Sequence, residues 1–290
     1  MQAEQKIPKI IHYCWFGGNP LPDAAVKCIE SWKKYCPDYE IVEWNETNFP
    51  PTFNDYVKEA YEAKKWAFIS DVARLHALVE FGGVYMDTDV EVLRPLDDIL
   101  VYDAISGFEA VDSIPTGMMA AKKGHPLFRR LLADYEGEHF LYEDGSMNMT
   151  PNVVRITDVC LGYGLKLNNK MQTVADFTLM PKEYFCPKDV FTDEIKVTEN
   201  TYTIHHFQSS WLSDEKKYAK EFRIRHRKWI PRFIAPHISC FIAAWKFRGF
   251  GGAVSEIGTY FRNNKLKKQR YKDAKEKATR EAQENTMEKE

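Results

Sequence analysis

Short apolar runs and stretches of helical periodicity alternate through the first 200 residues. Residues 7–16 (IPKIIHYCWF) are a compact apolar run closed by Gly17-Gly18-Asn19-Pro20, which predicts a buried strand entering a turn. A helical pattern follows over 22–35, EIVEW at 40–44 alternates as a second strand, and a charged helix is expected over 54–65. The clearest helix is WAFISDVARLHALVEF at 66–81, stopped by Gly82-Gly83. VYM at 84–86 reads as a short strand that runs directly into acidic residues. A further strand is expected at 103–108, with helices at 126–136 and 152–164. This alternation predicts an α/β body.

After residue 212 the pattern changes. Residues 216–248 interleave cations with large aromatics, and Pro231 and Pro236 break any single long helix. Residues 262–290 are almost wholly polar and charged, without an apolar stripe, which predicts a solvated helix or a disordered tail. The chain therefore divides into a body at 1–215, a basic aromatic helical appendage at 216–261 and a charged tail at 262–290.

Composition sharpens this division. With 44% apolar residues in 290, the chain can build a large core, and wholesale disorder is excluded. The formal charge of −2 conceals an asymmetry: 20 basic and 32 acidic side chains stand in residues 1–200, against 20 and 10 in residues 201–290. An acidic body argues against nucleic acid as a partner. The basic segment 216–248 suits either a solvated appendage or contact with an anionic membrane surface. The six cysteines form no CxxC and no zinc-like spacing with histidine. The opening MQAEQKIPK has no apolar h-region and no window reads as a membrane span, so reduced thiols and a cytoplasmic protein, peripheral on a membrane at most, are expected.

The candidate chemistry begins at Asp87-Thr88-Asp89, where a buried strand should end, the place at which open α/β sheets bind ligands. Two carboxylates one residue apart could hold Mg2+ or Mn2+ against a diphosphate, or could simply be an acidic loop. On the preceding helix, Asp71 falls on the same arc as Leu75 and Leu78, with Arg74 at its edge. A carboxylate on a core-facing arc must be paired or must serve a ligand, so Asp71 and Arg74 are either a structural pair or the wall of a pocket. A third feature lies at Thr203-Ile204-His205-His206-Phe207-Gln208-Ser209-Ser210-Trp211, where imidazole and hydroxyl could ligate a metal and an indole could face a sugar or diphosphate. Packed histidines and a core Trp are the plainer reading. Trp15, beside the glycine turn, could stack on a base or belong to the core.

These pieces, in this order, resemble glycosyltransferase family 32, the DXD-containing sugar transferases. AFISDVARLHALVEFGGVYMDTDVEVLRPLDDIL at 67–100 is the most specific stretch, joined by IPKIIHYCWFGG at 7–18, YFCP at 184–187 and NTYTIHHFQSSW at 200–211. The resemblance implies a GT-A fold, Rossmann-like and nucleotide-sugar-binding, here with a basic helical C-terminal appendage. It implies a retaining transfer of a hexose or N-acetylhexosamine from a nucleotide sugar, UDP favoured over GDP, to a glycan or lipid-linked acceptor, with Mn2+ or Mg2+ as cofactor. By match to its motifs, Trp15 would stack on the donor base, and Asp71, Arg74, Tyr85 and Asp87 would line ribose and sugar. Asp87, Asp89, His206 and Ser209 would hold the metal, and Trp211 would meet the diphosphate or leaving group. Asn152, near a helix start that resembles another family segment, could face donor or acceptor. Retention leaves open a covalent carboxylate or a same-face attack, the latter favoured because no dedicated nucleophile is visible.

Two rivals are weaker. VYMDTDVEV also resembles the haloacid-dehalogenase motif with Asp87 as nucleophile, but Glu91 stands where Thr or Val belongs. A non-catalytic carbohydrate-binding protein has no need of clustered carboxylates.

Overall fold

The computed structural model describes residues 4–110, 113–114, 117–208 and 212–287. They form two compact units, one of residues 1–187 with 197–206, the other of residues 188–196 with 207–290.

The first unit is α/β. Its strands are β1 (Ile10–Cys14), β2 (Glu40–Trp44), β3 (Gly83–Met86), β4 (Val90–Val92), β5 (Ala104–Gly107), β6 (Met118–Ala121), β7 (Gln172–Val174), β8 (Phe177–Met180) and β9 (Thr203–His205). Its helices are α1 (Asp23–Tyr35), α2 (Asp55–Glu62), α3 (Trp66–Glu80), α4 (Pro126–Ala133) and α5 (Asn152–Gly162). Seven strands make one sheet in the order β2-β1-β3-β6-β5-β8-β7, and β4 pairs with β9 in a separate ribbon. β1 runs parallel to β2 and β3, whereas β6 is antiparallel to both β3 and β5.

Strand alternation splits the core into two layers. Val84 and Met86 face one layer together with Ile11, Trp32, Met118 and Ala120. Tyr85 faces the other, with Val72, Leu75, Met119 and Ala121. The paired glycines that end α3 take left-handed φ of 69° and 105° at Gly82 and Gly83. A Cβ on Gly83 would stand 2.6 Å from the Ile10 carbonyl oxygen, so only glycine lets the chain enter β3 beside β1. His12, 1% exposed, locks the same corner: its Nε2 lies 2.7 Å from Gly82 O and its Nδ1 3.2 Å from Trp44 Nε1. Trp44 can only donate, so Nδ1 accepts and Nε2–H donates, which keeps the ring neutral; burial holds its pKa down at about 4.

The second unit is built on α6 (Asp214–Arg225) and α7 (Ala235–Met287), the latter broken at Gly249, where φ is 72° and ψ −175°. Ser213 caps α6 by accepting from the Lys216 N–H. The charged tail is thus helical through Met287. None of the described helices is long and apolar enough to cross a membrane.

Candidate active site

The site grows from the end of β3. The Asp87 N–H donates to Gly117 O at 2.8 Å, which carries the β3–β6 ladder one residue past the strand, and the Val90 N–H donates to Asp87 O at 3.0 Å. Asp87 is therefore held at the strand end while Thr88 and Asp89 turn toward β4. The Asp87 carboxylate accepts from the Tyr85 hydroxyl at 2.7 Å and lies 3.2 Å from Arg74 Nη2. Arg74 also lies 3.3 Å from Asp71, and its guanidinium sits 4.5 Å from the Tyr85 ring centroid. Asp71 in turn accepts the Asn152 N–H at 3.0 Å, while Asn152 Nδ2 donates to the Asp71 carbonyl at 2.9 Å.

Both members of this pair are buried, Asp71 7% and Arg74 5% exposed. Burial pushes the Asp71 carboxyl up to about 6 against the pull of Arg74 and the Asn152 N–H. Burial works against the Arg74 charge as well, and Asp87, Tyr85 and Asp71 outweigh it, so the guanidinium is raised and stays charged. A chain of hydrogen bonds and ion pairs thus runs from Asn152 through Asp71 and Arg74 to Asp87, joining α5, α3 and the acidic loop.

On the other side of the loop stands β9. Asp87, Asp89 and His205 each present a ligand atom within 4.8 Å of the others, a group able to hold a metal ion. His205 Nε2 lies 3.3 Å from Asp89 Oδ1, and its Nδ1 is 3.7 Å from Glu109. Two carboxylates and an imidazole fit a hard divalent cation of the Mn2+ or Mg2+ kind.

The neighbouring His206, the histidine read from the sequence as the ligand, points elsewhere. In the β4–β9 ribbon Val90 faces His205 and Glu91 faces Ile204. Alternation then places His206 on the face of Ile204 and Glu91, and its Nε2 meets Glu91 Oε2 at 2.8 Å. Period two alone requires the two histidines to diverge; the β4–β9 register sets the Asp89 backbone beside His206, whose N–H donates to Asp89 O at 2.9 Å, and the Asp89 carboxylate, at the end of the Asp87–Val90 turn, meets His205 instead. Glu109 and Gly117, both against His205, carry no motif at all. A Cβ on Gly117 would stand 2.7 Å from His205 Nδ1.

Among the other sequence candidates, Tyr85, Asp71, Arg74, Asp87 and Asn152 come together as described. Trp15 leaves β1 as expected, and its indole N–H donates to Asn19 O at 2.5 Å across the Gly17-Gly18 turn. Ser209 and Trp211 lie outside the described residues.

Residues 22–105 match the family profile described as the glycosyltransferase sugar-binding region containing DXD motif. Inositol phosphoceramide mannosyltransferase 3 of Schizosaccharomyces pombe is 31% identical over 144 residues, 47% of this chain and 39% of that protein. The uncharacterized glycosyltransferase L373 of Acanthamoeba polyphaga mimivirus is 23% identical over 222 residues, 71% of this chain and 84% of that protein. A solved glycosyltransferase involved in glycosylation of the major capsid of PBCV-1 superposes over 76% of this chain at 10% identity, with a TM-score of 0.40. The chain spans two fifths or less of the first curated relatives it matches, 39%, 32% and 19% of their lengths. The matched segment holds Asp71, Arg74, Asp87 and Asp89 and the strand and helix that present them, so the likeness to the DXD-containing sugar-binding regions of glycosyltransferases rests on the residues of the site.

Proposed function

We propose that the protein is a metal-dependent, retaining glycosyltransferase that moves a hexose or N-acetylhexosamine from a nucleotide sugar to a glycan or lipid-linked acceptor. The observation that carries this reading is the Asp87–Asp89–His205 group standing beside the buried Arg74–Asp71 pair. One half offers a cation site, the other a charged wall with a fixed hydrogen-bond pattern.

In the reaction the bond between the sugar's anomeric carbon and the diphosphate oxygen breaks with its electron pair going to that oxygen, the acceptor hydroxyl oxygen bonds to the carbon from the same face, and the acceptor's proton passes to the departing diphosphate. A divalent cation on Asp87, Asp89 and His205 would supply charge neutralisation for the departing diphosphate. Ser209 is a candidate further ligand and Trp211 a candidate donor to the leaving group. Arg74, fixed by Asp71, Asp87 and the Tyr85 ring, is preorganised to meet oxygen atoms of ribose or sugar, and such preorganisation is where most stabilisation of developing charge arises. Asp71 accepts sugar hydroxyls, Tyr85 holds Asp87 in place, and Trp15 offers its ring to the base. UDP is favoured as the nucleotide because a single indole suits a pyrimidine. GDP-mannose belongs among the donors tested because relatives are named as mannosyltransferases of inositol phosphoceramide. No carboxylate beyond this set is positioned as a nucleophile by the sequence, so same-face attack is the retaining route proposed.

Donor hydrolysis without acceptor tests the reading. Purified protein is incubated with UDP-glucose, UDP-galactose, UDP-N-acetylglucosamine or GDP-mannose, with Mn2+ or EDTA, beside Asp89→Asn. Nucleoside diphosphate release from one donor, abolished by EDTA and lowered at least about 100-fold in Asp89→Asn, is expected. Release of phosphate from simple phosphoesters with every sugar nucleotide left intact would overturn the proposal.

A further inference from the structure

The second unit packs in reverse of the usual order. Its buried described residues are small: Ala219, Ala235, Ser239, Ala243, Ala244 and Ala253 are all 6% exposed or less, with Lys188 the one larger side chain among them at 9%. Four of its described aromatic side chains lie well outside, Trp229 85%, Phe233 78%, Phe250 65% and Trp245 56% exposed. Small residues let α6 and α7 approach closely, but aromatic surface left in water in this quantity marks a face that meets something apolar.

Trp229 and Phe233, the most exposed of the four, both lie on the connection from α6 to α7, together with Arg227, Lys228 and Arg232 and directly after Arg225 at the end of α6. Between Glu221 and Glu256 stand seven Lys and Arg residues and no carboxylate. Arg232 is occupied by Asp189 at 2.9 Å, and Arg248 by Glu215 and Glu256 at 2.7 and 2.6 Å. Arg225, Arg227 and Lys228 are exposed, and no carboxylate pairs with them among the described residues.

We infer that the α6–α7 connection, Arg225 to Phe233, docks on an anionic lipid bilayer, with Trp229 and Phe233 seated at the headgroup boundary and Arg225, Arg227 and Lys228 against the lipid phosphates. Indole and phenyl rings favour that boundary, and each cation near an anionic leaflet multiplies partitioning about fivefold. Charge complementarity selects the occupant: Arg225, Arg227 and Lys228, which no carboxylate pairs among the described residues, stand with two aromatics in a segment that carries no acid, and the one acid beside it, Asp189, is taken up by Arg232. Single-stranded nucleic acid also uses cations and aromatics, but it needs a groove that tracks its backbone, and Trp229 stands too far clear of its surroundings to form a groove wall. The surface is independent of the transferase reading, because none of its residues belongs to the Asp87 site.

Vesicle flotation of the full chain tests it. Protein is mixed with vesicles of phosphatidylcholine alone or with about a third phosphatidylglycerol, and each variant's fold is checked by circular dichroism and thermal melting. Flotation with the anionic vesicles only, weakened by salt, is expected. Arg227→Glu with Lys228→Glu should lower partitioning about 25-fold or more, and Trp229→Ala with Phe233→Ala should also release the protein. Lys27→Glu with Lys33→Glu on α1, equal in charge change, should leave flotation within about twofold. Equal flotation of the tip variants and wild type, equal loss in the α1 control, or flotation indifferent to lipid charge would each overturn the proposal. So would tight capture of a single-stranded oligonucleotide that anionic vesicles fail to displace.

Discussion

Trp32 and Trp229 are the same residue in opposite circumstances. In the first unit Trp32 is fully buried, its ring edge-on to Tyr13 at 5.7 Å and its indole N–H donating to Val90 O at 2.7 Å. In the second unit Trp229 is 85% exposed, and alanine occupies the interior. The first unit spends its aromatic surface on holding α1 against the ribbon that follows the acidic loop. Rigidity there serves the site, because a cation group tolerates little displacement of its ligands. The second unit is held by close approach of two helices, which frees its aromatics for an external surface. One chain thus uses large apolar side chains for two ends, and burial distinguishes them.

The largest expected effect breaks or confirms that contrast directly. Trp32→Ala leaves a cavity and an unpaired Val90 carbonyl, and should destabilise the first unit by about 3–5 kcal/mol. Trp229→Ala should change stability by no more than about 0.5 kcal/mol. Urea unfolding of both variants measures the difference, and a comparable loss in Trp229→Ala would show that its ring is part of the fold rather than of a surface.

The next effect concerns the buried polar corner of the first unit. Neutral His12 bridges Gly82 and Trp44, and its folded pKa of about 4 lies below the ordinary value of 6.5. The unfolded chain therefore takes up the proton first as pH falls. Stability from this group is fully present above pH 6.5 and is lost between 6.5 and 4, by up to about 3 kcal/mol. His12→Gln should lower stability at pH 7 and remove that part of the pH slope, as denaturant midpoints across the range would register.

How much of this was legible in the sequence depends on the range of the interaction. α3, its glycine stop and β3 follow from periodicity and from two residues that only a left-handed turn requires. Asp71 on an apolar arc announced a buried carboxylate, and it proved to have the Arg74 partner that burial demands. The order β3-β6-β5 with two reversals was not legible, because β6, MMAA, has neither alternation nor β-branched residues. The choice between His205 and His206 was hidden for a related reason. Each has the same neighbours in sequence, and only side chains more than 110 residues earlier, Asp89 for His205 and Glu91 for His206, tell them apart. The α6–α7 inversion was half visible: cations interleaved with aromatics were plain, but which of them face outward depends on alanines that carry no signal alone.

Gly117 tests whether His205 belongs to the cation group. Its carbonyl accepts from Asp87 while the His205 ring packs on its Cα, so it touches both halves of the group. Gly117→Ala places a methyl 2.7 and 2.8 Å from two atoms of the ring, and the imidazole must move. Mn2+ affinity should fall about 10- to 100-fold, read as free Mn2+ by electron paramagnetic resonance, while the unfolding midpoint changes little. Unchanged affinity in a folded variant would remove His205 from the group and leave the two aspartates to hold the cation with other ligands.

The smallest effect comes from the same substitution in the second unit. A methyl on Gly251 meets nothing within 4 Å, whereas one on Gly252 would stand 2.4 Å from Arg248 Cβ, because the break at Gly249 folds the preceding turn against the next. Gly251→Ala should therefore stabilise α7 by about 0.5 kcal/mol through reduced freedom of the unfolded chain. Gly252→Ala should destabilise it, since Cβ is fixed to the backbone and cannot swing aside as a ring can. Adjacent positions with opposite signs would establish that the Gly249 break is a feature of the folded chain. Two gains of similar size would mean that α7 runs straight through it in solution, with Trp245 and Phe250 redistributed around one continuous helix.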